Sequence, residues 1–177
     1  MAKPIILCDT GGMDRAAWLA AREHGPDGSI PYTLGGSDIA TIFDINPWVT
    51  ALELWLAKKG RIKKRKSQNP GRLEMGHLME PILAEIYKNR TGNATIADTN
   101  LYQHPKYPFA LANIDYRMEE DGKAAILECK TTGYENRYIW LTGQAPPYYV
   151  LQVRFYMAVL DLDFADIICC WSMDFHK

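Results

Sequence analysis

Apolar residues recur at helical spacing through the first half of the chain and alternate strand-wise through much of the second. "MDRAAWLAARE" predicts a helix from about Asp14 to Glu23, rich in good helix formers, with Asp14 in its first turn. Gly25, Pro26, Gly28 and Pro31 break that pattern. "GGSDIATIF" predicts a short helix capped by Ser37, with Asp38 near its positive end. Past Pro47, "TALELWLAKKG" predicts another, capped by Thr50 and stopped by Gly60. "RIKKRKSQNPGR" reads as a basic, turn-rich loop. "LEMGHLMEPILAEIYKNRTG" returns to helical spacing through Leu78, Ile82, Leu83 and Ile86 and closes at Gly92. Pro81 lies inside that run, and should bend the helix or start a new segment.

"NATIAD" and "TNLYQHP" predict short strands. "PFALANIDYRM" and "AAILECKTT" flank "EEDGK", the mark of a hairpin closing at Asp121-Gly122. "PPYYVLQVRFYMAVLDL" predicts an amphipathic helix starting after two prolines, and "FADIICCWSM" a buried strand. Helices, a hairpin, a helix and a strand together predict an α/β (α+β) domain with a mixed central sheet flanked by helices. We expect a single domain over 1–177, with a helical part at 14–92 and a sheet part at 93–177. No internal repeat or low-complexity segment interrupts it.

The chain's 177 residues suffice for one hydrophobic core, and its formal charge of −1 points to no polyanionic partner by itself. No apolar run reaches membrane-spanning length, and "MAKPIILCDTGGMD" makes a poor signal peptide. Cys8, Cys129, Cys169 and Cys170 form no C-x-x-C pattern, so they predict buried free thiols in a reducing cytosol and no iron–sulfur cluster. Trp48, Trp55 and Tyr87 are expected to pack the core rather than stack bases.

The hairpin carries charges where a core strand should not. Alternation puts Glu128 and Lys130 on one strand face with Ile126, and Leu127 and Cys129 on the other. Closure at Asp121-Gly122 places Asp115 nearly opposite Glu128. Two nearby carboxylates repel and attract a cation, and hard oxygen donors suit Mg2+ or Mn2+. A neighbouring lysine can orient a water or stabilise developing negative charge. The set suits phosphodiester hydrolysis; no Ser–His or Cys–His pair accompanies it. A solvated hairpin face with an ordinary Glu/Lys pair is the plain alternative, since E-x-K is common by chance.

The same residues resemble the YqaJ-type viral recombinase nucleases, relatives of phage lambda exonuclease in the PD-(D/E)XK superfamily. "GGSDIATIFDINPW" with "LWLAKKG", "MGHLMEPILAEIYKNRTG", "NIDYRM" with "LECKTT", and "PPYYVLQVRFYMAVL" follow the family's order from about residue 14 to 172. The resemblance implies a restriction-endonuclease-like core. It implies that Asp115, Glu128 and the Cys129 carbonyl ligate a metal, with Glu80 contributing directly or through water, and that Lys130 serves the attacking water. It implies that Ser37 and Gln152 anchor a terminal 5′-phosphate. Arg22 matches a phosphate-binding arginine, although "EHGPDGSIPYTLG" separates it from Ser37 by more residues than is usual. Arg154 stands where relatives carry a second glutamine.

Each assignment has a plainer counterpart: an N-cap for Ser37, a polar helix face for Gln152 and Arg154, a surface ion pair for Arg22, a helix-surface carboxylate for Glu80. His77, three residues before Glu80, is structural or a metal ligand. Arg61, Lys63, Lys64, Arg65 and Lys66 form a solvated face or a patch that tracks a DNA backbone.

By resemblance, then, the chain is expected to be a Mg2+-dependent (or Mn2+-dependent) deoxyribonuclease of phage or prophage origin, cytoplasmic in a bacterial host. It would digest linear double-stranded DNA from 5′ to 3′ and hand a 3′ overhang to a single-strand annealing protein. Lambda-type relatives form rings of three, which implies a homo-oligomer. They usually continue through further strand and helix beyond "IICCWSMDFHK", so a compact and a truncated chain are both compatible with the resemblance. Two other readings stay open: an endonuclease on the same fold, and a nuclease-like DNA- or protein-binding module such as a phage inhibitor of host defence.

Overall fold

The computed structural model describes residues 3–63 and 70–171. Its chain divides into two units, each assembled from three separate segments. One comprises residues 1–65, 98–114 and 147–163, the other 66–97, 115–146 and 164–177.

The first unit begins with strand β1 (Ile5–Asp9) and helix α1 (Arg15–His24). Asp14 precedes α1 and caps it, accepting the Ala17 N–H at 2.8 Å. The insert after α1 folds back on that helix: the Ile30 N–H donates to the His24 carbonyl, and the buried Thr33 hydroxyl to the Arg22 carbonyl at 2.5 Å. Helix α2 (Gly36–Ile42) is capped by Gly35, so Ser37 lies inside the helix and is not the expected cap. The Asp38 carboxylate takes the cap's polar role by accepting the Gly35 N–H at 3.0 Å. Helix α3 (Ala51–Lys58) starts as expected, with Thr50 and Glu53 satisfying each other's backbone N–H groups.

Strands β3 (Asn100–Gln103) and β4 (Leu111–Ala112) join β1 in an antiparallel sheet ordered β1-β3-β4. Helix α6 (Pro147–Leu160) packs on α2, β3 and β4. Ala21, Leu101 and Leu111 form a buried cluster, with Leu7, Cys8, Met13 and Ile30 packed around it.

The second unit holds helix α4 (Pro70–Thr91) and strands β2 (Thr95–Ala97), β5 (Tyr116–Glu120), β6 (Lys123–Thr132) and β7 (Phe164–Trp171). The strands lie in the order β2-β5-β6-β7, antiparallel except for the parallel β6–β7 pair, so the sheet is mixed. A short 3-10 turn at Tyr134–Asn136 and helix α5 (Arg137–Leu141) follow β6. Helix α4 runs unbroken through Pro81, so Pro81 starts no new segment. Its apolar residues explain this: Leu83, Ala84 and Tyr87 bury against Met118 of β5 and Ala125, Leu127 and Cys129 of β6. That burial outweighs the hydrogen bond a proline cannot donate.

Three expectations fail. "PFALANIDYRM" is not one strand: Leu111–Ala112 pairs in the first sheet, and only Tyr116–Glu120 pairs with β6. Strand β7 is half-buried rather than buried, as are Cys169 and Cys170. Trp48 and Trp55 are 59% and 56% exposed, whereas Tyr87 is in the core.

Candidate functional site

The charged set belongs to the second unit and is built by the β5–β6 hairpin. Asp121 and Gly122 both have positive φ, 50° and 75°, and close a two-residue turn between Glu120 and Lys123. Such a turn matches the right-handed twist of the strands and fixes their register. The register pairs Tyr116 with Leu127, so one step further Asp115 comes level with Glu128. Asp115 lies just before β5, and its Oδ2 accepts the Cys129 N–H at 2.8 Å. That bond ties the acid to the strand that carries Glu128.

Along β6, Glu128 and Lys130 share a face with buried Ile126, and Leu127 and Cys129 take the other. Leu127 and Cys129 enter the α4 core, while Glu128 is buried, its side chain 2% exposed. Lys130 Nζ lies 2.5 Å from Glu128 Oε1. Burial pushes the Glu128 carboxyl up to about 7, a rise that Lys130 opposes and the Asp115 and Glu80 charges reinforce. The Glu80 carboxyl is also raised, first by burial and then by Asp115, while His77 pulls the other way. His77 Nδ1 lies 3.0 Å from Glu80 Oε1, one helical turn back along α4. Burial beside these acids also pushes the Cys129 thiol far up, so its sulfur stays protonated.

Glu80, Asp115, Glu128 and Lys130 thus act on one another electrostatically. Burial and Asp115 hold the Glu80 and Glu128 carboxyls above their ordinary range, so the set favours positive charge, and its hard-oxygen chemistry fits a small divalent cation. As placed, however, no three His, Cys, Asp or Glu side chains among the described residues converge closely enough to hold a metal ion. Glu128 is turned onto Lys130 and Asp115 onto a backbone amide.

The expected phosphate-binding residues belong to the first unit. A Cβ on Gly36 would lie 2.5 Å from the Tyr156 ring and 2.9 Å from Gln152 Cγ, so α2 approaches α6 as only glycine allows. A Cβ on Gly35 would lie 3.4 Å from Arg22 Nη2. The folded-back insert therefore brings Arg22 to the start of α2 despite its length. The Arg22 guanidinium lies 4.4 Å from the Trp18 ring centroid. Gln152 Nε2 donates to the Tyr156 hydroxyl at 3.0 Å. Ser37 is exposed on α2.

Arg154 and Lys63 are exposed, and Lys64 and Arg65, like Lys66, lie outside the described residues. The sequence reading missed Gly36 and Tyr156. The doubled glycine before α2 and the four-residue spacing from Gln152 to Tyr156 were the available signals.

The fold is a mixed α/β domain of the restriction-endonuclease-like type. Residues 17–163 match the family model described as the YqaJ-like viral recombinase domain, and the chain belongs to that family. An uncharacterised protein YqaJ of Bacillus subtilis (strain 168) is 36% identical over 155 residues, covering 88% of this chain. The chain spans 45% of that relative's length. The crystal structure of an alkaline exonuclease (LHK-Exo) from Laribacter hongkongensis superposes with a TM-score of 0.64 at 18% identity, covering 87% of this chain and 73% of that one. LHK-Exo in complex with dAMP gives a TM-score of 0.65, also at 18% identity, covering 86% and 72%. This likeness establishes the fold. No helix among the described residues is long and apolar enough to cross a membrane.

Proposed function

We propose that the chain is a metal-dependent DNA exonuclease that digests one strand of linear duplex DNA from its 5′ end. The observation that carries this reading is the hairpin register that levels Asp115 with Glu128 and seats Lys130 on Glu128. Asp115, Glu128, Glu80 and the Cys129 carbonyl would hold Mg2+, or Mn2+, which supplies Lewis-acid stabilisation of a phosphodiester undergoing attack. Lys130 brings positive charge to the same strand face, where it would orient a nucleophilic water and stabilise the charge growing on phosphate oxygens. The Asp115–Cys129 bond fixes the acid to β6, so both carboxylates keep their spacing through the reaction.

Arg22 and Gln152, gathered at the start of α2, would recognise a terminal 5′-phosphate, with Ser37 beside them. Arg154 and the basic segment with Lys63, Lys64 and Arg65 would add sequence-independent contact with the backbone. A single-strand annealing protein would take up the overhang, a homo-oligomer would confer processivity, and the work would be done in the cytoplasm of a bacterial host. His77 would hold Glu80 in place.

The decisive assay is digestion of end-labelled linear duplex with Mg2+, comparing 5′-phosphate with 5′-hydroxyl ends and with a closed circle. Glu128→Gln and Lys130→Ala should abolish cutting, and the circle should survive. Cutting of the circle would identify an endonuclease. A second reading has one observation in its favour: the carboxylates do not converge on a common point as placed. On that reading the domain binds DNA or protein without cutting. Calorimetric titration with Mg2+ and Mn2+ separates the two, because a binding module should take up neither.

A further inference from the structure

We propose that the apolar groove beside α3 is a binding site for unpaired nucleotides of single-stranded DNA. The proposal rests on reading DNA as the ligand of this chain, and it concerns a surface of the first unit that shares no residue with the carboxylate set. The groove encloses about 580 Å3 and is lined by Tyr32, Leu54, Trp55, Lys58, Lys59 and Phe109 among others. Tyr32, Trp55 and Phe109 are 45%, 56% and 46% exposed, a display of flat rings that a chain keeping its core to itself would not make.

Two classes of occupant suit an apolar wall: an apolar protein segment or a stack of bases. Charge decides between them. Residues 51–63 carry Lys58, Lys59, Arg61 and Lys63; Lys58 is paired with Asp38 and Glu53 is the segment's one acid, so Lys59, Arg61 and Lys63 leave it net positive. Lys59 Nζ sits 4.1 Å from the Tyr32 ring centroid, so a cation and an aromatic face are presented together. Lys58 is held by Asp38 at 2.8 Å, which fixes the groove wall. Rings that accept any base, edged by cations that accept any phosphate, are the arrangement that binds single strands without reading sequence. A duplex keeps its bases stacked and offers this groove only phosphates. An unpaired segment offers both.

The test is equilibrium binding of a fluorescent oligothymidylate in EDTA, where no cutting occurs, alongside an abasic strand of equal length and charge. The oligothymidylate should bind about 5- to 150-fold more tightly, the range that aromatic–base stacking supplies. Trp55→Ala should erase that difference, and Trp55→Phe should restore most of it, which separates stacking from misfolding. Lys59→Ala should lower the salt slope by about one while sparing the preference for bases.

Equal binding of the normal and abasic strands overturns the proposal. So does unchanged discrimination in Trp55→Ala, which would leave the groove to an apolar protein segment. If the chain cuts duplex ends but fails these arms, only the groove is lost. If it neither binds nor cuts any DNA, the proposed function falls with it.

Discussion

Glu128→Gln should stabilise the folded chain in metal-free buffer at alkaline pH, and the gain should vanish in acid. Glu128 is buried, and its carboxyl is raised from the ordinary 4.5 to about 7 with Lys130 already in contact. A carboxyl raised in the folded state contributes stability that is complete below pH 4.5 and lost as pH rises through about 7. At about 1.4 kcal/mol per tenfold change in proton affinity, ionised Glu128 costs the fold about 3 kcal/mol at pH 8.5. Glutamine resembles the protonated acid in shape, still offers Lys130 an oxygen, and never ionises.

Thermal unfolding of wild type and variant in EDTA, at pH 4.5 and 8.5, is the assay. For a chain this long, about 3 kcal/mol corresponds to roughly 6–12 °C of Tm at the alkaline pH. Adding Mg2+ should narrow the gap by stabilising the wild type alone. An absent gap at pH 8.5, or one that widens on acidification, would refute the reasoning, because it would mean that Lys130 fully compensates the buried charge.

Three further outcomes are expected. Gly36→Ala should cost about 1–3 kcal/mol by forcing a Cβ into Tyr156, and chemical denaturation should show it. It should also weaken any preference for 5′-phosphorylated ends, as should Arg22→Ala and Gln152→Ala. Pro81→Ala should raise stability by about 1–3 kcal/mol in urea, since Pro81 is exposed and its helix runs on through it. Thr50→Ala should cost about 1 kcal/mol by removing the acceptor of the Glu53 N–H, and Thr50→Ser should recover it.

The hairpin was legible because its determinants are local. Asp121-Gly122 specifies the turn, alternation assigns the faces, and together they give the Asp115–Glu128 pairing before any tertiary contact is considered. Helix α3 was legible for the same reason: Thr50, Glu53 and Gly60 mark both its ends. What was hidden depends on distant partners. Ile5–Asp9 looks like a stray apolar run until Ile5 pairs with Gln103. The break between β4 and β5 depends on which sheet each joins. Gly35 displaces Ser37 as the cap because Asp38 reaches back to it, a choice the sequence left open between neighbours. The exposure of Trp55 could not be read from periodicity, because an aromatic at helical spacing looks the same whether its ring faces a core or a ligand, and Trp48 sits outside any helix, in the bend before α3.

The alternation along β6 makes this site sensitive to parity. Between the turn and Glu128, a single inserted or deleted residue would exchange the two faces, sending Glu128 towards Leu83 and Tyr87 and leaving Leu127 (insertion) or Cys129 (deletion) in its place. Changes in multiples of two would preserve the faces while shifting the level of Asp115. Residues added at the tip, beyond Glu120 and Lys123, would do neither. Length variation among descendants of this chain should therefore accumulate at the tip of the hairpin and be almost absent from its arms, whatever happens to the individual side chains there.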